Sequence, residues 1–381
     1  MAEALDLQAI LRHYLPTYRQ HHPLDPRRLE VLSHLLHCRS EAMGGLHLQC
    51  EPCRHDEVRY YACRDRHCPK CQWRAAQQWA HQQLRHQLPV SYHHLVFTLP
   101  ETLNGWIELH PQVLYRLLFQ AVWATLRAFG EDPKRLGGQL GMTAVLHTWG
   151  STLVRHVHLH CLVAGGALTL EGEWKPSKAH YLFPVRALSR RFRGQMVSRL
   201  RACAAQGQLT RITRAGEIDA TLNALMARDW VVYSKPAMQA GQHVIEYLAR
   251  YTHRSAISNA RLLGLEHDRI SFRYKNYRKL KWQVMQLDAE VFIQRLLLHV
   301  LPKGLMRIRH YGFLANACRA KQLARIRHAL VKAQSRRPEK PREETQVPVT
   351  MPHAYYPCSR CHQPMRIVAE IAPRRLRWEV G

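Results

Sequence analysis

His156-Val157-His158-Leu159-His160 places imidazoles on alternate residues with apolar residues between them, and runs on into Cys161-Leu162-Val163-Ala164. In an extended strand the side chains at i, i+2 and i+4 share one face, so the three rings would point the same way and could meet one metal ion. Histidines that interrupt an otherwise buried apolar strand are costly unless something pairs with them. A bound ion would do so, and so would hydrogen bonds within the sheet. The chain holds 26 histidines, enough for pairs at this spacing to arise by chance. The run alone therefore leaves metal ligation by His158 and His160 and plain sheet histidines both open.

A second set lies in Val244-Ile245-Glu246-Tyr247-Leu248-Ala249-Arg250-Tyr251-Thr252-His253-Arg254. Over 241–251 the pattern predicts a helix, on which Tyr247 and Tyr251, four apart, stand within roughly 40° of each other. Val244 and Leu248 share their stripe, so a buried face with two amphipathic tyrosines explains the spacing too. Arg250, His253 and Arg254 add groups that favour a phosphate. A phenol with a pKa of about 10 is a poor nucleophile at pH 7. Beside a divalent ion and cationic side chains its phenolate is stabilised, and the same ion polarises a scissile phosphate. Two imidazole ligands, an ion and a tyrosine make a phosphodiester-cleaving set.

Cys50-x2-Cys53 and Cys68-x2-Cys71, 14 residues apart, fit a zinc-ribbon-like site in which each turn supplies two thiolates to a tetrahedral ion. Cys38, His55, Cys63 and His67 lie in the same segment and could complete a second tetrahedral site, with the pairing open. Cys358 and Cys361 supply half a site. Eleven cysteines, odd in number and mostly in CxxC pairs, suit metal thiolates in a reducing compartment better than a disulfide framework.

The elements that must carry these groups can be read coarsely. Residues 1–37 read as a helical lead-in and 38–75 as a zinc-binding domain. A polar helix near 72–87 precedes a strand at 93–99; a helix near 105–129, a strand near 141–148 and the histidine strand come next, with a further strand at 230–233. Strands mixed with helices in no regular βαβ order predict an α+β class, with an antiparallel sheet and flanking helices. Residues 76–260 form the expected catalytic domain, 261–334 a C-terminal basic region, 335–357 a linker, and 358–381 a CxxC tail.

Lys plus Arg total 56 against 28 Asp plus Glu, a net charge of +28 over 381 residues. Such a surplus predicts a polyanionic partner, nucleic acid above all. Arg319, Lys321, Arg325 and Arg327 on a helix at 313–333 are candidates for phosphate contacts, although a solvated face would look the same. No apolar run is long enough to span a membrane and the N-terminus carries Glu3 and Asp6, so a cytoplasmic protein without a membrane partner is expected.

Several stretches together resemble the insertion-sequence-91 family: Cys63-Arg-Asp-Arg-His-Cys-Pro-Lys-Cys, His94-Leu-Val-Phe-Thr-Leu-Pro, His147-Thr-Trp-Gly, His156-Val-His-Leu-His-Cys-Leu-Val, Tyr247-Leu-Ala-Arg-Tyr-Thr-His-Arg and Leu301-Pro-Lys-Gly. The likeness runs from about 30 to 330 in one motif order. That family comprises rolling-circle transposases of the HUH type, named for His-hydrophobic-His. The resemblance implies an HUH endonuclease domain with a central antiparallel sheet, His158 and His160 as the catalytic metal pair, Tyr247 and Tyr251 as catalytic tyrosines, and an N-terminal zinc-binding module holding Cys50, Cys53, Cys68 and Cys71. Val157 stands where many relatives have proline, a conservative change in a strand. His94, His147 and His156 are candidates for a third ligand.

The same resemblance implies a nucleoid-associated enzyme that cuts and rejoins single-stranded DNA at element ends and target through a 5′-phosphotyrosine. Arg250 and Arg254 would meet DNA beside the tyrosines. Mg²⁺ or Mn²⁺ suits phosphate chemistry, and imidazole ligands suit Zn²⁺ as well. A plasmid replication initiator or relaxase would share the same site, and a non-enzymatic zinc-containing DNA-binding protein would share the charge and cysteines. Three-carboxylate chemistry is disfavoured, Asp229 being the nearest fit.

Overall fold

The computed structural model describes residues 5–178, 181–235, 238, 255–277, 279–335 and 356–374. Helix α1 (Leu7–His21) starts at Asp6, whose carboxylate accepts from the Ala9 amide at 2.8 Å, and α2 (Pro26–His37) starts at Asp25 with Pro26 in the first turn. Both caps satisfy amides that a helix leaves unpaired. Strands β1 (Gly45–Gln49) and β2 (Asp56–Tyr60) form a hairpin, followed by α3 (Pro69–Leu84) and β3 (Tyr92–Thr98). The single helix expected near 105–129 is two, α4 (Asn104–Leu109) and α5 (Pro111–Glu131), because Pro111 starts a new helix instead of continuing the old one.

Next come β4 (Gly141–Trp149), β5 (Arg155–Ala164), the small hairpin β6 (Gly166–Leu168) and β7 (Trp174–Pro176), α6 (Val185–Ala205), α7 (Glu217–Met226) and β8 (Val232–Ser234). Strands β9 (Leu262–Glu266), β10 (Arg269–Asn276) and β11 (Lys281–Asp288) form a three-stranded sheet, then α8 (Ala289–Leu297), β12 (Ile308–Gly312), α9 (Arg319–Ser335) and β13 (Arg366–Ile371) close the order. Helices α6 and α7 were not expected from the sequence. In α6 the arginines mask a buried stripe of Leu188, Phe192, Met196 and Leu200 at helical spacing.

The central sheet is antiparallel in the order β12-β4-β5-β3-β8, so the histidine strand is its middle member. Val157, Leu159, Cys161 and Val163 of β5 point into the main core with Leu118, Phe119 and Val122 of α5 and Phe192 and Met196 of α6. Each such large side chain contributes about 1.5–3 kcal/mol on burial. His158, His160, Leu162 and Ala164 occupy the other face. Leu162 and Ala164 are covered there by Phe313 and by Leu323 and Ile326 of α9. One half of this face is thus sealed by a helix and the other carries imidazoles.

Three sets of contacts cross the expected segments. Residues 5–36 pack Leu7, Ile10, Leu11 and Leu32 into a second core with Phe272, Phe292 and Ile293, rather than standing apart as a lead-in. Strand β12, inside the expected basic region, pairs with β4 as an edge of the central sheet. Strand β13, inside the expected tail, pairs with β1, giving the order β13-β1-β2. Both late strands return to early ones, a long-range closure that local pattern does not encode. Among the described residues no helix is long and apolar enough to cross a membrane.

Candidate functional site

Register places the histidines. His158 and His160 alternate onto one face of β5, and the β4–β5 ladder sets His147 directly opposite His158. One ring nitrogen from each of the three lies within 4.8 Å of the others, and all three side chains are buried. Nε2 of His158 and Nε2 of His160 are 3.1 Å apart. Two imidazole nitrogens about 2.0–2.2 Å from a shared ion subtend a similar separation, so the donor set fits a divalent cation. Among the described residues no carboxylate belongs to this cluster, and Asp229 lies exposed beside Arg193 at 3.7 Å.

The next shell orients the rings. His158 donates from Nδ1 to its neighbour's carbonyl, His156 O, at 2.8 Å, which leaves its Nε2 lone pair turned toward His160. His160 Nδ1 lies 3.0 Å from His94 Nε2. If a cation sat between the rings, His160 would donate to His94 and turn its own Nε2 lone pair to the ion; otherwise His160 Nε2, 3.1 Å from His158 Nε2, could donate to it. His147 stacks on Trp149 with ring centroids 4.6 Å apart. His156, the third member of the run, is exposed at the rim.

Burial keeps His158 and His94 neutral. It pushes His158 down to about 4, with the neighbouring His156 adding to the effect. Burial likewise pushes His94 down to about 4, helped by the Lys235 ammonium. A neutral imidazole is the form that ligates metal.

The cysteines pair differently from the ribbon expected. Cys68 and Cys71 join Cys38 and Cys63, whereas Cys50 and Cys53 join Cys358 and Cys361. Sulfur separations are 3.5 Å for Cys38–Cys71 and Cys38–Cys68 and 3.7 Å for Cys63–Cys71. In the second group they are 3.4 Å for Cys50–Cys361, 3.6 Å for Cys53–Cys358 and 3.5 Å for Cys53–Cys361. Four thiolates about 2.3 Å from a tetrahedral zinc stand about 3.8 Å apart, close to both groups. Arg39, Arg54, Arg64 and His362, each directly after one of these cysteines, have φ of 58°, 56°, 55° and 61°. A left-handed residue other than glycine costs roughly 1–2 kcal/mol, and here it turns the backbone around the sulfurs.

His55 and His67 fall outside both groups. His67 Nδ1 is 2.7 Å from Asp65 Oδ1 and its Nε2 accepts from the Leu301 amide at 3.1 Å, so both nitrogens are engaged. His55 Nε2 lies 3.1 Å from Ser359 Oγ. Cysteine supplies all four ligand positions in each group, leaving these imidazoles structural hydrogen-bonding roles.

Tyr247, Tyr251, Arg250 and Arg254 lie outside the described residues. On α9, Lys321 and Arg325 are exposed and Arg319 half-buried, while Leu323 and Ile326 anchor the opposite side. The third histidine was one of three candidates in the sequence; reading Gly141–Ala164 as a hairpin through the turn at Gly150 would have aligned His147 with His158.

Residues 10–99 match a protein family described as "Transposase zinc-binding domain", and residues 141–322 one described as "Putative transposase". Over 382 residues the chain is 39% identical to "Putative transposase y4qJ" of Sinorhizobium fredii (strain NBRC 101917 / NGR234), covering 95% of this chain and 94% of that protein. Over 320 residues it is 28% identical to the "Transposase for insertion sequence element IS801" of Pseudomonas savastanoi pv. phaseolicola, covering 79% of this chain and 74% of that protein. The zinc-domain match and the cysteine groups together support structural zinc.

Proposed function

The chain belongs to the insertion-sequence-91 family of transposases, and from that premise we propose that it cuts and rejoins single-stranded DNA at element ends by rolling-circle chemistry. The observation that carries this reading is the convergence of His147, His158 and His160 on one face of the central sheet. These three would hold Mg²⁺ or Mn²⁺, and His94 would orient His160. Bound there, the ion would polarise a phosphate oxygen at the scissile position.

Tyr247 or Tyr251 supplies the nucleophile. Its oxygen forms a bond to phosphorus while the bond from phosphorus to the 3′ oxygen breaks; the phenol proton ends on that oxygen, leaving a 5′-phosphotyrosine and a free 3′-OH. The phosphoester energy is kept, so a second hydroxyl can reverse the step on another strand. Two tyrosines would let one retain the donor end while the other cuts elsewhere. Arg250 and Arg254 would neutralise phosphate beside them, and Arg319, Lys321 and Arg325 would hold the DNA backbone.

Each tetrathiolate group would hold one structural zinc. The nuclease unit in this reading extends past residue 260, because β12 completes the sheet that carries the histidines. The experiment is to incubate the protein with labelled single-stranded element ends and Mg²⁺ or Mn²⁺. An SDS-resistant adduct is expected, and it is lost in the Tyr247→Phe, Tyr251→Phe double variant. No adduct, or one that survives in the double variant, overturns the reading.

A further inference from the structure

The β9–β11 sheet buries one face and leaves the other open. Ile270 and Phe272 of β10 pack inward with Phe292 and Ile293 of α8. On the outward face the register sets Arg273 beside Val284 and Lys275 beside Trp282. Trp282 is 57% exposed, Val284 58%, and Tyr277 at the hairpin end 69%. The Lys275 ammonium stands 5.6 Å from the centre of the Tyr277 ring. Lys281 adds a further exposed cation at this end. The carboxylate of Asp288 lies at the other end of β11, 3.4 Å from Arg269. A large indole and a phenol are thus held largely in water beside cations, on the edge strand and at the hairpin end of this sheet.

This sheet is fastened to the histidine strands. The Lys275 amide donates to Ser151 Oγ at 2.6 Å. Arg261 donates to Arg273 O at 2.7 Å and also reaches Ser151 O. Ser151 lies in the turn that joins β4, bearing His147, to β5, bearing His158.

We propose that the outward face of this sheet is a stacking platform for single-stranded DNA, with bases on Trp282 and Tyr277 and phosphates on Arg273 and Lys275. Unpaired bases expose π faces that stack on aromatic side chains, and cations alongside track the backbone. A duplex hides those faces, so the platform selects the single-stranded form. The charge of the face argues against a neutral protein partner. The proposal rests on the reading of the chain as a single-strand transposase and assigns a surface that would lead the strand past the turn at Ser151.

The test uses full-length, zinc-loaded protein and the anisotropy of a fluorescent thymidine oligomer of about 20 nucleotides, with a duplex of equal length as comparison. Trp282→Ala is expected to weaken single-strand binding roughly tenfold with a smaller effect on duplex, and Trp282→Phe to restore most of it. Arg273→Ala should lower the slope of log affinity against log salt by about 0.7. Unchanged single-strand affinity in Trp282→Ala, equal losses for single strand and duplex, or conversion of a dimer to a monomer by this substitution would each overturn the platform. If the wild type forms no tyrosine adduct yet Trp282→Ala still loses single-strand binding, the nuclease reading fails and the platform stands.

Discussion

His147 faces His158 across the β4–β5 ladder, their rings edge to face with centroids 5.4 Å apart. Direct opposition on neighbouring antiparallel strands would make His147 a third ligand in the proposed site, where the i, i+2 pair alone would offer two. Titration of Mn²⁺ into zinc-loaded protein should show His147→Ala losing at least the roughly tenfold that removal of even an outer-shell partner costs. His156→Ala, at the rim, should bind nearly as the wild type does. Equal behaviour of the two variants would remove His147 from the ligand set.

In the proposed site His94 would act through His160. In the proposed metal-bound state its Nε2, 3.0 Å from His160 Nδ1, would accept the proton that fixes the ligating tautomer. His94→Ala is expected to weaken Mn²⁺ binding by about 10–100-fold. His94→Gln, whose side-chain oxygen can accept the same proton, should recover part of that loss. Affinity unchanged in His94→Ala would show that His160 needs no such support.

The two cysteine groups predict two zinc ions per chain, countable by native mass spectrometry. The Cys358→Ser, Cys361→Ser variant should retain one, because Cys38, Cys63, Cys68 and Cys71 form a separate group. A single zinc in the wild type, or two in this variant, would contradict the pairing.

Acid should destabilise the fold through its buried imidazoles. His299 is held neutral by burial, pushed down to about 4, and its Nε2 donates to Leu153 O at 2.9 Å. The unfolded chain takes up this proton below about pH 6.5 and the folded chain does not until about pH 4. Stability from this group is therefore complete above 6.5 and falls as pH drops toward 4, by at most ~3 kcal/mol. Melting temperatures between pH 7 and 5 should fall less steeply in His299→Gln, which keeps a donor for Leu153. Parallel slopes would exclude His299 as a source. Zinc loss, common to both proteins, cancels in the comparison.

Strand β5 was legible because imidazole and apolar side chains alternate with the period of a strand. Strand β4 was legible as a strand, but it is buried on both faces from Gly141 to Thr148, so no alternation singled out His147. The cysteine spacing announced metal and not its partners: Cys50 and Cys361 are 311 positions apart, and local spacing cannot report a contact closed by β1 and β13. His55 and His67 looked like ligands because their residue type fits zinc, while Ser359, Asp65 and the Leu301 amide that engage them come from the fold. Helix α6 escaped notice because its arginines dilute the apolar stripe over which it packs.

The central claim is tyrosine attack beside the three-histidine site, and the most direct measurement is tandem mass spectrometry of the covalent product formed from a single-stranded element end with Mg²⁺ or Mn²⁺. The account predicts the nucleotide on Tyr247 or Tyr251, and no product when His147, His158 and His160 are all alanine in a protein that still carries its zinc. A nucleotide on any other residue, or undiminished product in the triple variant, would contradict it.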